Sequence, residues 1–239
     1  MPVEGDEELK RTNEIGMAIP LLDAIDLQGK DITADALLTQ RKLADYLCLQ
    51  RKAHYHFTVK GNQATLFQDI QLYFKERKEP DFIAYDPPDH GRIETRKIWT
   101  TTELNHYLDF PHVRQAFLIE RNSMDKKSGK ESTDITYAIT SRTPEQAGAE
   151  KLLAINRGHW SIENSCHYIL DWNFDEDRSR IRTGYGPENI SRLRRFVIGV
   201  IKAKRVRSVA QKMRELTCNV RLVFDYLRMT KNSCAPTRL

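Results

Sequence analysis

Between residues 15 and 77 the spacing of apolar residues switches repeatedly between helical and strand-like. That alternation restricts the chain to an α/β sheet sandwiched by helices. Residues 15–26 (Ile-Gly-Met-Ala-Ile-Pro-Leu-Leu-Asp-Ala-Ile-Asp) predict a short helix, with Pro20 early and Gly29 beyond its end. Asp31-Ile-Thr-Ala-Asp35 predicts a short strand. Within 39–52, Leu43, Tyr46 and Leu47 have helical spacing. The β-rich run 53–59 (Ala-His-Tyr-His-Phe-Thr-Val) alternates as a strand does and ends at Lys60-Gly61-Asn62. A further helix is expected over 63–77, with Leu66, Ile70 and Phe74 along one stripe.

Residues 80–143 break this rhythm. Pro80, Pro87, Pro88 and Pro111 punctuate β-like runs at 92–99, 115–121 and 134–140. The last two runs flank a polar hairpin tip, Asp125–Lys130. The block reads as a small β-rich insertion. Helical patterns return at about 144–155, 157–171, 187–203, 206–216 and 219–228.

Composition narrows the setting. The 239 residues are 30% charged, a size that suits one large domain or a domain with an insertion. No apolar run approaches the ~18 residues of a membrane span. The acidic start, Met1-Pro-Val-Glu-Gly-Asp6, lacks the apolar centre of a signal peptide. Cys48, Cys166, Cys218 and Cys234 make no CxxC pair, which fits free thiols in a reduced, cytoplasmic setting. Charge is uneven along the chain. From Arg178 onward there are 16 Lys and Arg against 3 Asp and Glu, a net +13, whereas the whole chain carries +5. Such asymmetry points to a polyanionic partner, with nucleic acid the first candidate; the alternative is an Arg-rich solvated helical face.

Several residues could carry chemistry. His159, Glu163 and His167 stand at i, i+4, i+8, so a helix would place them on one face. Imidazole and carboxylate together suit zinc, but a third strong ligand is not evident, and His167 reads rather as a packing or hydrogen-bonding residue. Asp35 ends a predicted strand, where open α/β sheets collect ligands. It could converge with Glu163 on divalent metal, or simply be a cap or turn residue. Lys60 reads as a phosphate contact or a turn lysine. Arg92, Glu94 and Arg96 alternate on one strand face; the arginines could touch DNA with Glu94 orienting them, or the three could pair with each other. Asp171 lies two turns beyond Glu163, at the head of an acidic group, Asp175, Glu176 and Asp177, that could neutralise Arg178, Arg180 and Arg182. Trp99, Trp160 and Trp172 read most simply as core residues, with stacking on an exposed base the alternative for Trp160. Arg192, Arg194, Arg195, Lys202, Lys204, Arg205 and Arg207 form the basic C-terminal helices.

A series of motifs runs from about residue 10 to residue 228. It comprises Thr12-Asn-Glu-Ile15, Asp35-Ala-Leu-Leu-Thr-Gln40, Val59-Lys-Gly-Asn-Gln63, His90-Gly-Arg-Ile-Glu-Thr-Arg96 and Arg157-Gly-His-Trp-Ser-Ile-Glu-Asn164. His167, Leu170-Asp171, Phe174-Asp-Glu-Asp177 and Arg180 complete it. In this order the motifs resemble the C-terminal part of DDE-type insertion-sequence transposases, specifically the ISAs1 branch.

The resemblance implies an α/β fold: a truncated RNase H-like core with a β-rich insertion and C-terminal helices. Its expected parts are a partial core over 1–79, the insertion over 80–143, core helices over 144–177 and a basic helical region over 178–239. It makes Asp35 and Glu163 the second and third acids of a catalytic triad and ligands of Mg²⁺ or Mn²⁺. His159, Asn164, His167 and Asp171 stand in support. DNA is the implied partner, touched by Lys60, Arg92, Arg96, Arg192, Arg194, Arg195, Lys202, Lys204 and Arg205. In the wider group a Tyr, an Arg and a Lys flank the Glu at fixed spacing. Asn156, His159 and Leu170 occupy those positions here, so the usual DNA-end roles are not carried over.

The same resemblance places the first acid on an upstream strand. Asp6 sits in the acidic run Glu4, Asp6, Glu7, Glu8 without a strand pattern and is no substitute. Little or no strand transfer is therefore expected of the chain by itself, which would act on DNA as a transposase remnant. The alternative is a non-catalytic DNA-binding or regulatory remnant, partnering a full-length transposase or a second copy of itself. An open edge is also expected on the strand that carries Asp35, with marginal stability or association through that edge.

Overall fold

The computed structural model of the chain describes residues 14–76, 79–86, 91–162 and 167–230. It divides into two compact units, residues 1–159 and 160–239.

The first unit is built on a six-stranded mixed sheet. Helix α1 (Glu14–Asp23) leads to strand β1 (Asp31–Ala34). A 3₁₀ turn (Ala36–Leu38) and helix α2 (Arg41–Asp45), which runs on through a π turn (Tyr46–Gln50), cross to strand β2 (His54–Val59). Parallel neighbours need such a crossover, and β1 and β2 pair in parallel with Ala34 opposite Phe57. Helix α3 (Ala64–Tyr73) follows, and then strands β3 (Phe82–Tyr85), β4 (Arg92–Thr101), β5 (Gln115–Asp125) and β6 (Glu131–Thr140). The sheet order is β1-β2-β6-β5-β4-β3, with every pair after β1–β2 antiparallel. The strands of the expected insertion thus continue the sheet of β1 and β2. Among the described residues β1 is one edge of that sheet.

Alternation along the strands sends side chains to two faces. On one face Tyr55, Phe57, Val59, Trp99, Ala116, Leu118 and Ile139 meet Leu66, Ile70 and Phe74, the stripe predicted for α3. On the other, Ile98, Phe117, Ile119 and Ala138 pack with Leu152 and Leu153 of helix α4 (Ala149–His159). Helices therefore cover both faces. The alternation of 53–59 does not separate inside from outside, because His56, on the α4 face, is only 2% exposed.

Two expectations along the chain are corrected. Helices were expected over 144–155 and 157–171. Helix α4 instead begins at Ala149 and passes through Arg157 and Gly158 to His159, while residues 161–162 and 167–173 are again helical. The residues before it form a turn in which the amides of Gln146 and Ala147 donate to the Thr143 carbonyl, both at 3.0 Å. The short strand β3 and a 3₁₀ turn at Glu103–His106 had no sequence signal of their own. Trp99 is a core residue, but Trp160 and Trp172 are 59% and 75% exposed. The side chain of Trp172 lies parallel to the ring of Tyr168, with centroids 6.2 Å apart.

The second unit is helical. A π turn (Ile169–Asn173) precedes helices α5 (Gly186–Lys202), α6 (Val209–Cys218) and α7 (Val220–Tyr226). Ile169, Leu170, Ile198, Ile201 and Val209 form its core, with Phe174, Met213, Leu216 and Tyr226 packed around them. Ser208 and Asn219 cap α6 and α7 through bonds from the amides of Gln211 and Leu222, both at 3.3 Å. The Tyr226 hydroxyl donates to the carbonyl of Ile201 at 3.1 Å and closes the bundle.

Candidate active site

Asp35 lies one residue beyond β1, at the carboxyl end of the parallel pair. Its Oδ1 accepts the amides of Leu37 and Leu38 at 3.1 and 3.3 Å, so the side chain caps the 3₁₀ turn. This is the capping alternative raised by the sequence. Leaving one oxygen fixed by two amides, it is compatible with a ligand at the exposed group. Lys60 is exposed one residue beyond β2.

Three polar side chains bring the segments after β1 and β2 together. The Thr39 hydroxyl donates to the carbonyl of Thr58 at 2.6 Å and lies 3.2 Å from that of Asp35. Asn62 Nδ2 donates to the Ala36 carbonyl, and Gln63 Nε2 to the Thr39 carbonyl at 2.9 Å. Two motifs that the sequence offered separately, 35–40 and 59–63, are therefore one interlocked structure. Thr39, Asn62 and Gln63 were not singled out beforehand. Their polarity beside a strand end was the available signal. Farther back on β1, Arg142 grips Asp31 through Nε and Nη2 at 2.6 and 3.1 Å.

Glu163 and Asn164 lie outside the described residues, and with them the proposed shared face of His159, Glu163 and His167. His159 ends α4 and shares a hydrogen bond at 3.1 Å between its Nδ1 and the hydroxyl of Thr33, two residues before Asp35. In the second unit His167 and Asp171 are exposed. Among the described residues no group of three or more His, Cys, Asp or Glu could hold a metal ion. His56 sits next to Thr33 in the sheet register, its ring 4.7 Å from that of Phe117, with neither nitrogen hydrogen-bonded. Burial pushes its imidazole down to about 3.

The arginines of β4 part company. Arg92 is exposed, opposite Asp125 in the β4–β5 register. Arg96 is largely covered and ion-paired with Asp86 and Glu94. Burial, helped by Arg157 and Arg121, lowers its guanidinium to about 10. Asp86 also receives Arg157 of α4 at 2.5 Å.

The basic residues of the second unit divide in the same way. Arg192, Arg195 and Lys202 are exposed and fall at i, i+3 and i+10, on one face of α5. Arg192 meets Glu188 one turn back at 2.5 Å, a pair of the kind that contributes little when solvated. Arg194 points elsewhere: its covered side chain lies 3.7 Å from Glu176, which also accepts the Ser191 hydroxyl at 2.7 Å. Lys204 donates to the Tyr226 carbonyl at 2.6 Å, and Arg205 is exposed. Asp175 lies 3.6 Å from Arg178.

Comparison with known proteins adds a family. Residues 8–190 match the Transposase DDE domain. YbfL of Escherichia coli (strain K12) is 31% identical over 222 residues, covering 86% of this chain and 57% of YbfL. YncI of Escherichia coli O157:H7, whose name marks it as a candidate transposase, is 30% identical over 202 residues, covering 80% of this chain and 50% of YncI. The chain thus spans between 50% and 57% of the length of these relatives.

Proposed function

Since the chain belongs to the DDE transposase family, we propose that it is the part of a transposase that carries the second and third acids of the catalytic triad, Asp35 and Glu163. The reading rests on the placement of Asp35, exposed at the carboxyl end of a parallel strand pair with one carboxylate oxygen held by two amides. That capping orients the acid before any ligand arrives, and an exposed carboxylate oxygen is a donor that suits a hard cation. Asp35 and Glu163 would hold Mg²⁺ or Mn²⁺. When bound at such carboxylates, a divalent cation activates a water or hydroxyl and stabilises the leaving oxygen of phosphoryl transfer.

The chain's remaining residues would handle the DNA. Lys60 stands one residue past β2, beside the segment of Asp35, and would meet a backbone phosphate there. Arg192, Arg195 and Lys202 along α5, with Arg205 beyond it, would hold phosphates without regard to sequence. Arg92 would add a contact from β4. Asp35 and Glu163 are the two acids that these 239 residues would bring to the cations, and in-line transfer would need a further carboxylate beside them. A full-length transposase is the partner that would supply the remaining acid.

A second reading, a non-catalytic DNA-binding or regulatory chain, is favoured by one observation: the α5 stripe belongs to a compact unit separate from the one that holds Asp35. A nicking assay with Mg²⁺, using Asp35→Ala and Glu163→Ala controls, separates the two. Mg²⁺-dependent nicking that is lost in both variants supports the transposase reading, and nicking that both variants retain overturns the assignment of the two acids. Salt-sensitive DNA retention that survives both substitutions supports the binding reading. Absence of retention at low salt removes DNA from both.

A further inference from the structure

The end of the β1–β2 pair remote from Asp35 gathers three segments of the first unit: the turn that enters β2, the loop that enters β5 and the residue that leaves β6. The register explains the meeting. Thr140, the last residue of β6, stands opposite both His56 of β2 and Gln115, the first residue of β5. Between these segments is a cleft of about 310 Å³, lined by Cys48, Lys52, His54, His112, Arg114 and Ser141. That volume is at the small end of the range of roughly 300–1,000 Å³ common for ligand pockets.

The lining is one-sided in charge. It has Lys52, Arg114 and two imidazoles, and no carboxylate. The acids that approach these segments are taken, Asp45 by His112 Nε2 at 2.9 Å and Asp31 by Arg142 at 2.6 Å. Arg41 and Arg51 also face carboxylates. Among the described residues Lys52 and Arg114, both exposed, face none. Burial pushes the Cys48 thiol up, so it stays neutral and does not repel an anion. Burial, and after it the charge of Arg142, pushes the His54 imidazole down, so His54 presents a neutral ring.

The main chain under these side chains is fixed. Lys52 and His112 have left-handed backbones, with φ of 51° and 62°. Lys52 stands just past a helix end, where glycine is the usual choice. Its carbonyl accepts the Gly29 amide at 2.9 Å. The Arg114 amide donates to the Thr140 carbonyl at 2.9 Å, and its own carbonyl accepts Asn105 Nδ2 at 2.6 Å. Ser141 Oγ accepts the Tyr55 amide at 3.0 Å, which leaves the hydroxyl proton for another acceptor.

We propose that this cleft is an oxyanion site, in which Lys52, Arg114 and Ser141 hold a phosphate group, either free or carried by a nucleic-acid strand. Lys52 supplies a point charge, Arg114 a planar fork that can bond two oxygens at once, and Ser141 a hydroxyl donor. His112, with Nε2 engaged by Asp45, keeps Nδ1 for the same group. The site does not rest on the reading of Asp35 and Glu163 as metal ligands.

The test titrates inorganic phosphate into the full chain and follows the amides of 52–54, 112–114 and 141 by NMR. Chloride at matched ionic strength controls for screening. Phosphate, and not chloride, is expected to shift these amides. Lys52→Gly and Arg114→Gln are each expected to weaken phosphate binding by about tenfold, as loss of one charge-assisted hydrogen bond does. Both variants should fold, since the bonds that hold these positions use their main-chain atoms, and glycine suits the left-handed backbone of Lys52. Filter binding of duplex DNA to the same variants identifies the source. Retention that falls in both assigns the site to the phosphate of a strand; retention that both keep, with phosphate binding weakened, assigns it to free phosphate. Amides that do not shift in excess phosphate, that shift equally in chloride, or that shift undiminished in both variants overturn the site. Asp35→Ala should leave phosphate binding unchanged, and weakened binding there would move the anion to the other end of the strands and overturn the site as well.

Discussion

The hydroxyl of Thr39 donates to the main-chain carbonyl of Thr58 at 2.6 Å, and so ties the segment that leaves β1 to the end of its parallel neighbour β2. Thr39 is fully buried, and its own carbonyl accepts Gln63 at 2.9 Å. The geometry around Asp35 therefore depends on a side chain of the next turn, not on β1 alone.

Replacing Thr39 by Val keeps the shape and removes the donor. A buried carbonyl left without a partner costs about 1–3 kcal/mol, so Thr39→Val should lower unfolding stability by that amount. Thr39→Ser should retain most of it. Urea denaturation of the three proteins would check this; equal midpoints for Val and Ser would show that the hydroxyl contributes nothing.

His56 gives the first unit an acid sensitivity. Its imidazole titrates near 3 when folded because of burial, against about 6.5 when unfolded. Between those values the unfolded chain binds the extra proton. The sign follows: stability is unaffected above about pH 6.5 and falls, as pH drops toward 3, by up to about 1.4 kcal/mol per pH unit for this one proton. His56→Leu should flatten that part of the curve, as measured by denaturant midpoints from pH 7 to pH 4. An unchanged slope would place the acid sensitivity on other groups.

Helix α3 offers a matched pair. Ile70 is fully buried and Leu72, two residues on, is 71% exposed. Ile70→Ala should cost about 2–5 kcal/mol through lost burial and a cavity. Leu72→Ala should stay within about 0.5 kcal/mol. Thermal unfolding would distinguish them; similar losses would mean that the exposed face of α3 is covered in solution.

The arginines of α5 should separate by role. Arg192→Ala and Arg195→Ala are each expected to reduce the salt dependence of DNA retention by about one counterion, with little effect on folding. Arg194→Ala should instead destabilise the helical unit, because it leaves Glu176 without its cation. Filter binding across a salt series, with circular dichroism on the same samples, provides both readouts. An Arg194 variant with a lower salt slope and unchanged stability would contradict this division.

Periodic burial was legible in the sequence. Leu66, Ile70 and Phe74 form the buried stripe their spacing predicts, and Asp125–Lys130 is the hairpin tip between β5 and β6. Features that depend on distant partners were not. β3 is four residues long, and its pairing with β4 is what makes it a strand. Arg96 and Arg194 look like their exposed neighbours in a charge count, yet each faces a carboxylate contributed by another segment. The extent of α4 was misjudged at its start, which lies at Ala149 because the residues before it close a turn on the Thr143 carbonyl. At the candidate site the position of Asp35 followed from the strand pattern. Its linkage to Thr39, Asn62 and Gln63 required knowing that two loops meet.

The pairing of β2 with β6 also sets an order of events. Val59 stands opposite Tyr137, and His56 opposite Thr140, so an inner strand waits nearly eighty residues of synthesis for its second neighbour. Contacts so distant along the chain are slow to form, because a long loop must close before they return any free energy. During that interval Tyr55 and Phe57 lack part of their cover. The β5–β6 hairpin is local and can form early, then dock on β2 as a unit. The segment that looked in sequence like an addition to the fold is thus the step its completion waits for.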